Sequence, residues 1–131
     1  MSTNRFFVMV KPDGVRRGLV GNIISRFEKK GFVLHNIKMV IPGDDLVKSH
    51  YKEHSDKAFF EDLIKFTTSG AVIPMVWEGN IQVARNILGA TVPWEAKKGT
   101  IRGDYTCAMP ANLVHCSDSI ENAEREIKLW F

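Results

Sequence analysis

A chain of 131 residues, 44% of them hydrophobic, is long enough to bury a core and short enough to be one domain spanning 1–131. Its formal net charge of +3 favours anionic ligands, but the basic pairs Arg16-Arg17, Lys29-Lys30 and Lys97-Lys98 are scattered, unlike the clustered excess of a nucleic-acid binder. Two cysteines, Cys107 and Cys116, are too few for a disulfide framework, no run approaches the length of a membrane span, and no apolar leader opens the chain, so the sequence reads as a cytoplasmic protein.

Phe6 to Val10 is a short, continuous apolar run, the pattern of a strand buried on both faces. It ends at Lys11-Pro12-Asp13-Gly14, where proline and glycine predict a turn. Lys11 is thereby held at the lip of a central strand. Leu19, Val20, Ile23, Ile24 and Phe27 follow helical spacing, and Gly31 reads as the helix stop. Partial alternation over 33–40 predicts a second strand, broken by Pro42-Gly43. Residues 44–68 are helical in pattern, with a break near Ser55-Asp56. Phe59 begins the second of these helices, where it is expected to be partly exposed.

A third strand is predicted over 71–77. Pro74 inside it cannot donate to a ladder, which calls for a free edge or a bulge. Ile81 to Leu88 reads as a short helix carrying Arg85. From Gly89 to Arg102 periodicity is lost, as in a long loop, either ordered or disordered, and long loops within compact domains are often functional. A last strand leads into a helix bearing Ile120, Ala123, Ile127 and Trp130. The kernel of this order is βαββαβ, so the predicted class is α/β (α+β): a ferredoxin-like antiparallel sheet with added helices and a long loop. That architecture hosts many activities and decides none.

Two motifs bear on chemistry. His50-Tyr-Lys-Glu-His54 matches the H-x-x-E-H pattern of a zinc-peptidase class. The segment is short and polar and lacks a third ligand in a suitable context, so no protein-held metal is predicted. The second motif, Asn112 to Ser119, delivers one histidine, His115, to the mouth of the last helix. Asp118 or Ser119 would cap that helix, and Glu121 follows Asp118 as in a capping box. Helix N-termini attract anions, so a histidine beside one suits phosphate chemistry, although an isolated histidine at such a turn is more often structural.

The residues taken together resemble the nucleoside diphosphate kinase family from end to end. The matching pieces are Val10-Lys-Pro-Asp-Gly-Val15, Arg17-Gly-Leu-Val-Gly21, Met75-Val-Trp-Glu-Gly79, Gly99-Thr-Ile-Arg-Gly-Asp104, Asn112-x-x-His-x-Ser-Asp-Ser119, Glu124-Arg-Glu-Ile127 and Trp130-Phe131. The resemblance implies transfer of a γ-phosphoryl group between nucleotides by ping-pong through a phosphohistidine. Mg²⁺ would ride on the nucleotide phosphates.

The same resemblance makes His115 the nucleophile, with Ser117 and Glu126 supporting it and Tyr51 against the phosphate site. Lys11 would contact phosphate and the sugar hydroxyl, with Asn112 beside it. Arg85, Thr91 and Arg102 would hold phosphates, and Phe59 would stack on the base. The implied substrates are tri- and diphosphates such as ATP, GTP, ADP, GDP and their deoxy forms, with broad base specificity. The implied role is upkeep of nucleoside triphosphate pools. The implied assembly is a homo-oligomer, hexameric or alternatively tetrameric, with no need of a membrane or nucleic acid.

The chain departs from the family's pattern in places. Cys116 stands where glycine or alanine is usual and predicts crowding beside His115. Val92 and Trp94 flank Pro93 in the long loop. Ala111 replaces a usual arginine, and the segment after Glu78-Gly79 is about two residues shorter, judged against the family's pattern. The rival readings are a non-catalytic domain that keeps the nucleotide pocket, which has no need of His115, and a nucleic-acid module, which the modest charge disfavours.

Overall fold

A computed structural model describes residues 3–105 and 108–131; Cys107 lies outside them. Four strands form one antiparallel sheet: β1 (Asn4–Val10), β2 (Val33–Ile37), β3 (Ile73–Gly79) and β4 (Val114–Cys116), in spatial order β2-β3-β1-β4. This is the ferredoxin-like order, with β1 central and fully buried from Phe6 to Val10. The continuous apolar run has its cause here, because helices cover both faces.

Side chains alternate across the sheet and sort into two cores. Phe6, Val8 and Val10 face one side with Val114 and Cys116. There α2 (Val20–Lys29) contributes Ile23 and Phe27, α5 (Ile81–Leu88) contributes Ala84 and Leu88, and α6 (Ile101–Asp104) contributes Ile101. Phe7 and Met9 face the other side, against Val47 and Tyr51 of the segment that starts with α3 (Asp44–His50), Leu63 and Ile64 of α4 (Phe60–Thr67), and Trp130 of α7 (Ile120–Trp130). His115 pairs with Met9 and shares this second face.

The elements depart from sequence expectation at four points. The Lys11–Gly14 turn continues as a short helix, α1 (Pro12–Arg16), because Pro12 occupies its first turn, where a missing N–H costs nothing. β2 ends at Ile37 rather than at Val40, with Val40 making only an isolated bridge to Val72. The Gly89–Arg102 segment is ordered and contains a 3₁₀ turn at Pro93–Glu95 and the start of α6, capped by the Thr100 hydroxyl. Ser119, not Asp118, caps α7, accepting from Asn122 N at 3.1 Å, so the expected box with Glu121 does not form.

Pro74 lies in a strand with neighbours on both sides, but its partner on the β2 side is Lys38, just beyond the end of β2, which donates to Pro74 O at 3.1 Å. The lost donor thus falls where β2–β3 pairing ends, just past the Ile37–Met75 pair, while the bulge between Leu34 and Asn36 lies further along the ladder.

Candidate active site

The turn after β1 and the approach to β4 are locked together. Lys11 N donates to Leu113 O at 2.9 Å, and Leu113 N donates to Asp13 Oδ2 at 3.0 Å. Leu113 takes a left-handed backbone with φ 73, which a branched side chain adopts only when its surroundings impose it. Asp13 is one cause of that conformation. Gly14 is a condition for it, since a Cβ there would lie 2.9 Å from Leu113 O. The consequence is that Lys11, Asn112 and His115 converge from distant parts of the chain.

They line a cavity of about 340 Å³ together with Tyr51, Phe59, Arg85, Thr91, Arg102 and Glu126. Ser117 alone of the sequence-predicted residues stands behind the wall, fully buried. The cavity thus gathers residues from the ends of β1 and β4, the α3–α4 segment, α5, the long loop and α7.

His115 Nε2 lies 3.1 Å from Glu126 Oε1. The Ser117 hydroxyl donates to that same oxygen at 2.8 Å and accepts from Phe7 N at 3.1 Å. A carboxylate only accepts, so the neutral His115 ring carries its proton on Nε2 and leaves Nδ1 bare. Glu126 is on the second turn of α7 and is buried where that helix meets the sheet. Its place well inside a helix hid this role from any reading of spacing.

The cations differ in how they are held. Lys11 is buried and donates to Asn112 Oδ1 at 2.8 Å and Pro110 O at 3.3 Å. Its pKa is pushed down to about 8, chiefly by burial and then by the Arg102 charge, with Asp13 opposing. Arg102, also buried, gives hydrogen bonds to the carbonyls of Asn112, Gly89 and Val114. Arg85 reaches across to Cys116 O at 3.0 Å. Asn112 Nδ2 donates to Thr91 O at 3.0 Å, tying the long loop to the site. Phe59 stands at the lip, about half exposed, as its place at the start of α4 suggested.

The buried Tyr51 hydroxyl makes no hydrogen bond of normal geometry among the described residues; its polar neighbour Thr67 donates instead to Leu63 O at 2.8 Å. Burial holds the phenol protonated, well above its usual range.

The expected crowding by Cys116 does not occur. Its side chain is buried in the opposite core with Val8 and Val114, because successive residues of a strand face opposite sides. Burial pushes the thiol up to about 12, so it stays protonated and inert. In the long loop, Trp94 is exposed and Val92 half-buried, and Ala111 is half-buried beside the Lys11 acceptors.

Sequence reasoning missed Asp13, read only as a turn residue, and His50. The i, i+4 pair His50 and His54 does not share a helix, since α3 ends at His50 and a separate 3₁₀ turn holds His54. His50 instead meets His115 and Glu126, one ligand-type atom of each lying within 4.8 Å of the others. These two companions lie 65 and 76 positions away from His50, beyond the reach of local spacing. Among the described residues no helix is long and apolar enough to cross a membrane.

The family model described as nucleoside diphosphate kinase matches residues 4–131. A nucleoside diphosphate kinase of Exiguobacterium sp. is 52% identical over 95% of this chain and 91% of its own length, and that of Thermosynechococcus vestitus is 54% identical over 97% and 86%. Among solved structures, the apo nucleoside diphosphate kinase of Encephalitozoon cuniculi superimposes with a TM-score of 0.95 at 44% identity, covering 97% of this chain and 88% of that one. The halophilic enzyme of Halobacterium salinarum, in complex with CDP, superimposes with a TM-score of 0.95 at 47% identity, covering 99% and 88%. This chain belongs to the nucleoside diphosphate kinase family and is an enzyme of that class.

Proposed function

We propose that this enzyme moves the terminal phosphoryl group of a nucleoside triphosphate, typically ATP, onto a nucleoside diphosphate by ping-pong through a phosphohistidine on His115. The observation that carries the reading is the contact between Nε2 of His115 and Glu126 Oε1, which leaves Nδ1 as the nucleophilic lone pair. Nδ1 attacks the terminal phosphorus, the bond to the bridging oxygen breaks, and the electron pair departs on the diphosphate. The phosphorylated ring becomes cationic, and the Glu126 carboxylate stabilises that charge. A terminal oxygen of a second diphosphate then attacks the same phosphorus, and His115 leaves as the neutral ring.

Phosphoryl transfer needs positioning and charge neutralisation more than covalent help from the protein. Lys11, Arg85 and Arg102 supply three cations, and Thr91 and Tyr51 supply hydroxyls. Lys11 and Asn112 suit the sugar. Phe59 at the rim stacks on any base, since every base has a π-face, which supports broad specificity for adenine and guanine nucleotides and their deoxy forms.

The cavity is lined by cations, amides and hydroxyls suited to phosphate oxygens, and of its three carboxylates, Glu53, Asp118 and Glu126, the last is engaged by His115 and Ser117 and Asp118 by Asn122. That set fits an ion that enters on the nucleotide, as Mg²⁺ does when held mainly by phosphates and water. Bound there, Mg²⁺ supplies further neutralisation of the phosphate charge.

A homo-oligomer, a hexamer before a tetramer, is part of the same reading. Its support is the edge strand β2 and the segment after it, where Val33, Ile37, Met39 and Ile41 are exposed at 43–69%. Open apolar strand edges invite pairing. Cytoplasmic upkeep of triphosphate pools is the role we infer from the activity.

The test is to incubate the protein with γ-labelled ATP and Mg²⁺, remove nucleotide, and add a different diphosphate. The expected result is an acid-labile, base-stable label that discharges onto the diphosphate and is absent from His115→Asn. A folded protein that takes no label overturns the phosphohistidine route. Light scattering checks the oligomer.

A further inference from the structure

The convergence of His50, His115 and Glu126 has the look of a transition-metal set. Trp130 argues against that use. Its indole Nε1 lies 2.9 Å from His50 Nδ1, and an indole N–H only donates. His50 Nδ1 therefore holds a lone pair, and the neutral ring carries its proton on Nε2. A metal on Nε2 requires that nitrogen bare and the proton moved to Nδ1, head-on against the indole N–H. The ring is fixed as a donor.

That donor has nothing to donate to. His50 is 3% exposed, and its Nε2 makes no hydrogen bond among the described residues. An unmade buried bond of this kind costs roughly 1–3 kcal/mol, and a native site that tolerates one needs a reason. The surroundings provide it. The His50 ring lines the same cavity as His115, their centroids 4.5 Å apart at 73°. It is held there by Trp130 and by Arg125, whose guanidinium donates to His50 O at 3.1 Å and Ser49 O at 3.0 Å. Tyr51, whose ring centroid is 4.5 Å from that of His50, carries a second buried donor without a partner of normal geometry. An orphaned donor beside the nucleophile implies an acceptor that arrives with the substrate.

We propose that His50 Nε2–H is a further catalytic group, a neutral hydrogen-bond donor that finds its acceptor in an oxygen of the phosphoryl group transferring to and from His115 Nδ1. The inference rests on the phosphohistidine reading and assigns that site a donor. Neutrality is part of the design. Burial first, then the charges of His115, Arg125, Lys11 and His54, hold the His50 pKa well below its ordinary value. The ring thus donates one proton in a fixed direction and competes with neither His115 nor the phosphate for others. Preorganised donors aimed at developing charge act most strongly in such dry sites.

Two measurements test it. In protein labelled with ¹⁵N-histidine, the ring signals of His50 should report the Nε2–H tautomer, and phosphorylation of His115 should move the Nε2–H resonance. In single-turnover transfer at saturating nucleotide, His50→Phe should slow both half-reactions by roughly ten- to a hundredfold, the loss expected for one such donor. His50→Gln, which restores an N–H near Nε2, should recover most of that loss. Three results overturn the proposal: an Nδ1–H tautomer, a His50 resonance indifferent to phosphorylation, or transfer by folded His50→Phe at the parent's rate. The resonance arm stands even if His50→Phe does not fold. A parent that takes label while His50→Phe keeps pace sinks this inference alone, whereas a folded parent that takes no label sinks the phosphohistidine route with it.

Discussion

Glu126 Oε1 is shared by two donors: His115 Nε2 at 3.1 Å and the Ser117 hydroxyl at 2.8 Å. Ser117 orients the carboxylate, and the carboxylate orients the ring. Removing the acid leaves His115 free to change tautomer and, on the proposed route, leaves the phosphorylated ring without a counter-charge. Glu126→Ala is expected to lower kcat about 10²-fold or more, with little change in KM for nucleotide, as for other groups that orient a catalytic histidine. Steady-state kinetics check this. Ser117→Ala should cost less activity, but roughly 1–2 kcal/mol of stability, because Ser117 Oγ also accepts from Phe7 N on the central strand.

Lys11 carries the clearest pH signature. Burial lowers its pKa to about 8 in the free protein, and a bound phosphate anion favours its charged form. As pH rises through about 8 the free protein loses this proton, so diphosphate binding weakens and becomes coupled to proton uptake. The dissociation constant should rise by at most about tenfold per pH unit above that point. Calorimetry in two buffers of different ionisation enthalpy measures the uptake. Lys11→Met should bind weakly at every pH and show no slope there.

The close approach of Gly14 to Leu113 is sensitive to a single methyl group. An added Cβ would meet Val10 Cγ1 at 2.7 Å and the Leu113 carbonyl oxygen at 2.9 Å, and the second is backbone that cannot swing aside. Gly14→Ala is expected to destabilise by about 1–3 kcal/mol, as overpacked cores do. It should also slow transfer, because Leu113 sits between Asn112 and the strand that holds His115. A thermal melt and a single-turnover assay separate the two effects.

Cys116 neighbours His115 in the chain yet packs into the other core. Cys116→Ala should therefore turn over at the parent's rate and lose about 1 kcal/mol of stability from the buried sulfur. The native thiol, raised to about 12, should resist alkylation at pH 8 until the protein unfolds. A fall in turnover matching the loss in Gly14→Ala would show that packing behind β4 does reach His115.

How much was legible follows from distance along the chain. Phe6–Val10 read as a strand buried on both faces, and it is one, because burial there is written in consecutive apolar residues. Phe59 read as partly exposed because it begins a helix, and it is about half exposed. The pairing of His50 with Trp130, 80 residues apart, had no local signature, nor did the clamp of Asp13 on Leu113, 100 residues apart. The family resemblance pointed to residues that prove to gather around one cavity, without saying how they are held.

By itself the sequence determined the four strands and the longer helices, though not the short helices α1 and α6, and that a lysine and a histidine end up at strand ends, since propensity, periodicity and turn chemistry are local. Only the tertiary structure decided that Glu126 sets the tautomer of His115, that Cys116 turns its back on the site, and that His50 is left a donor without an acceptor. Those outcomes depend on which face each strand turns to which helix, and that choice is made by the packing of two cores against one sheet.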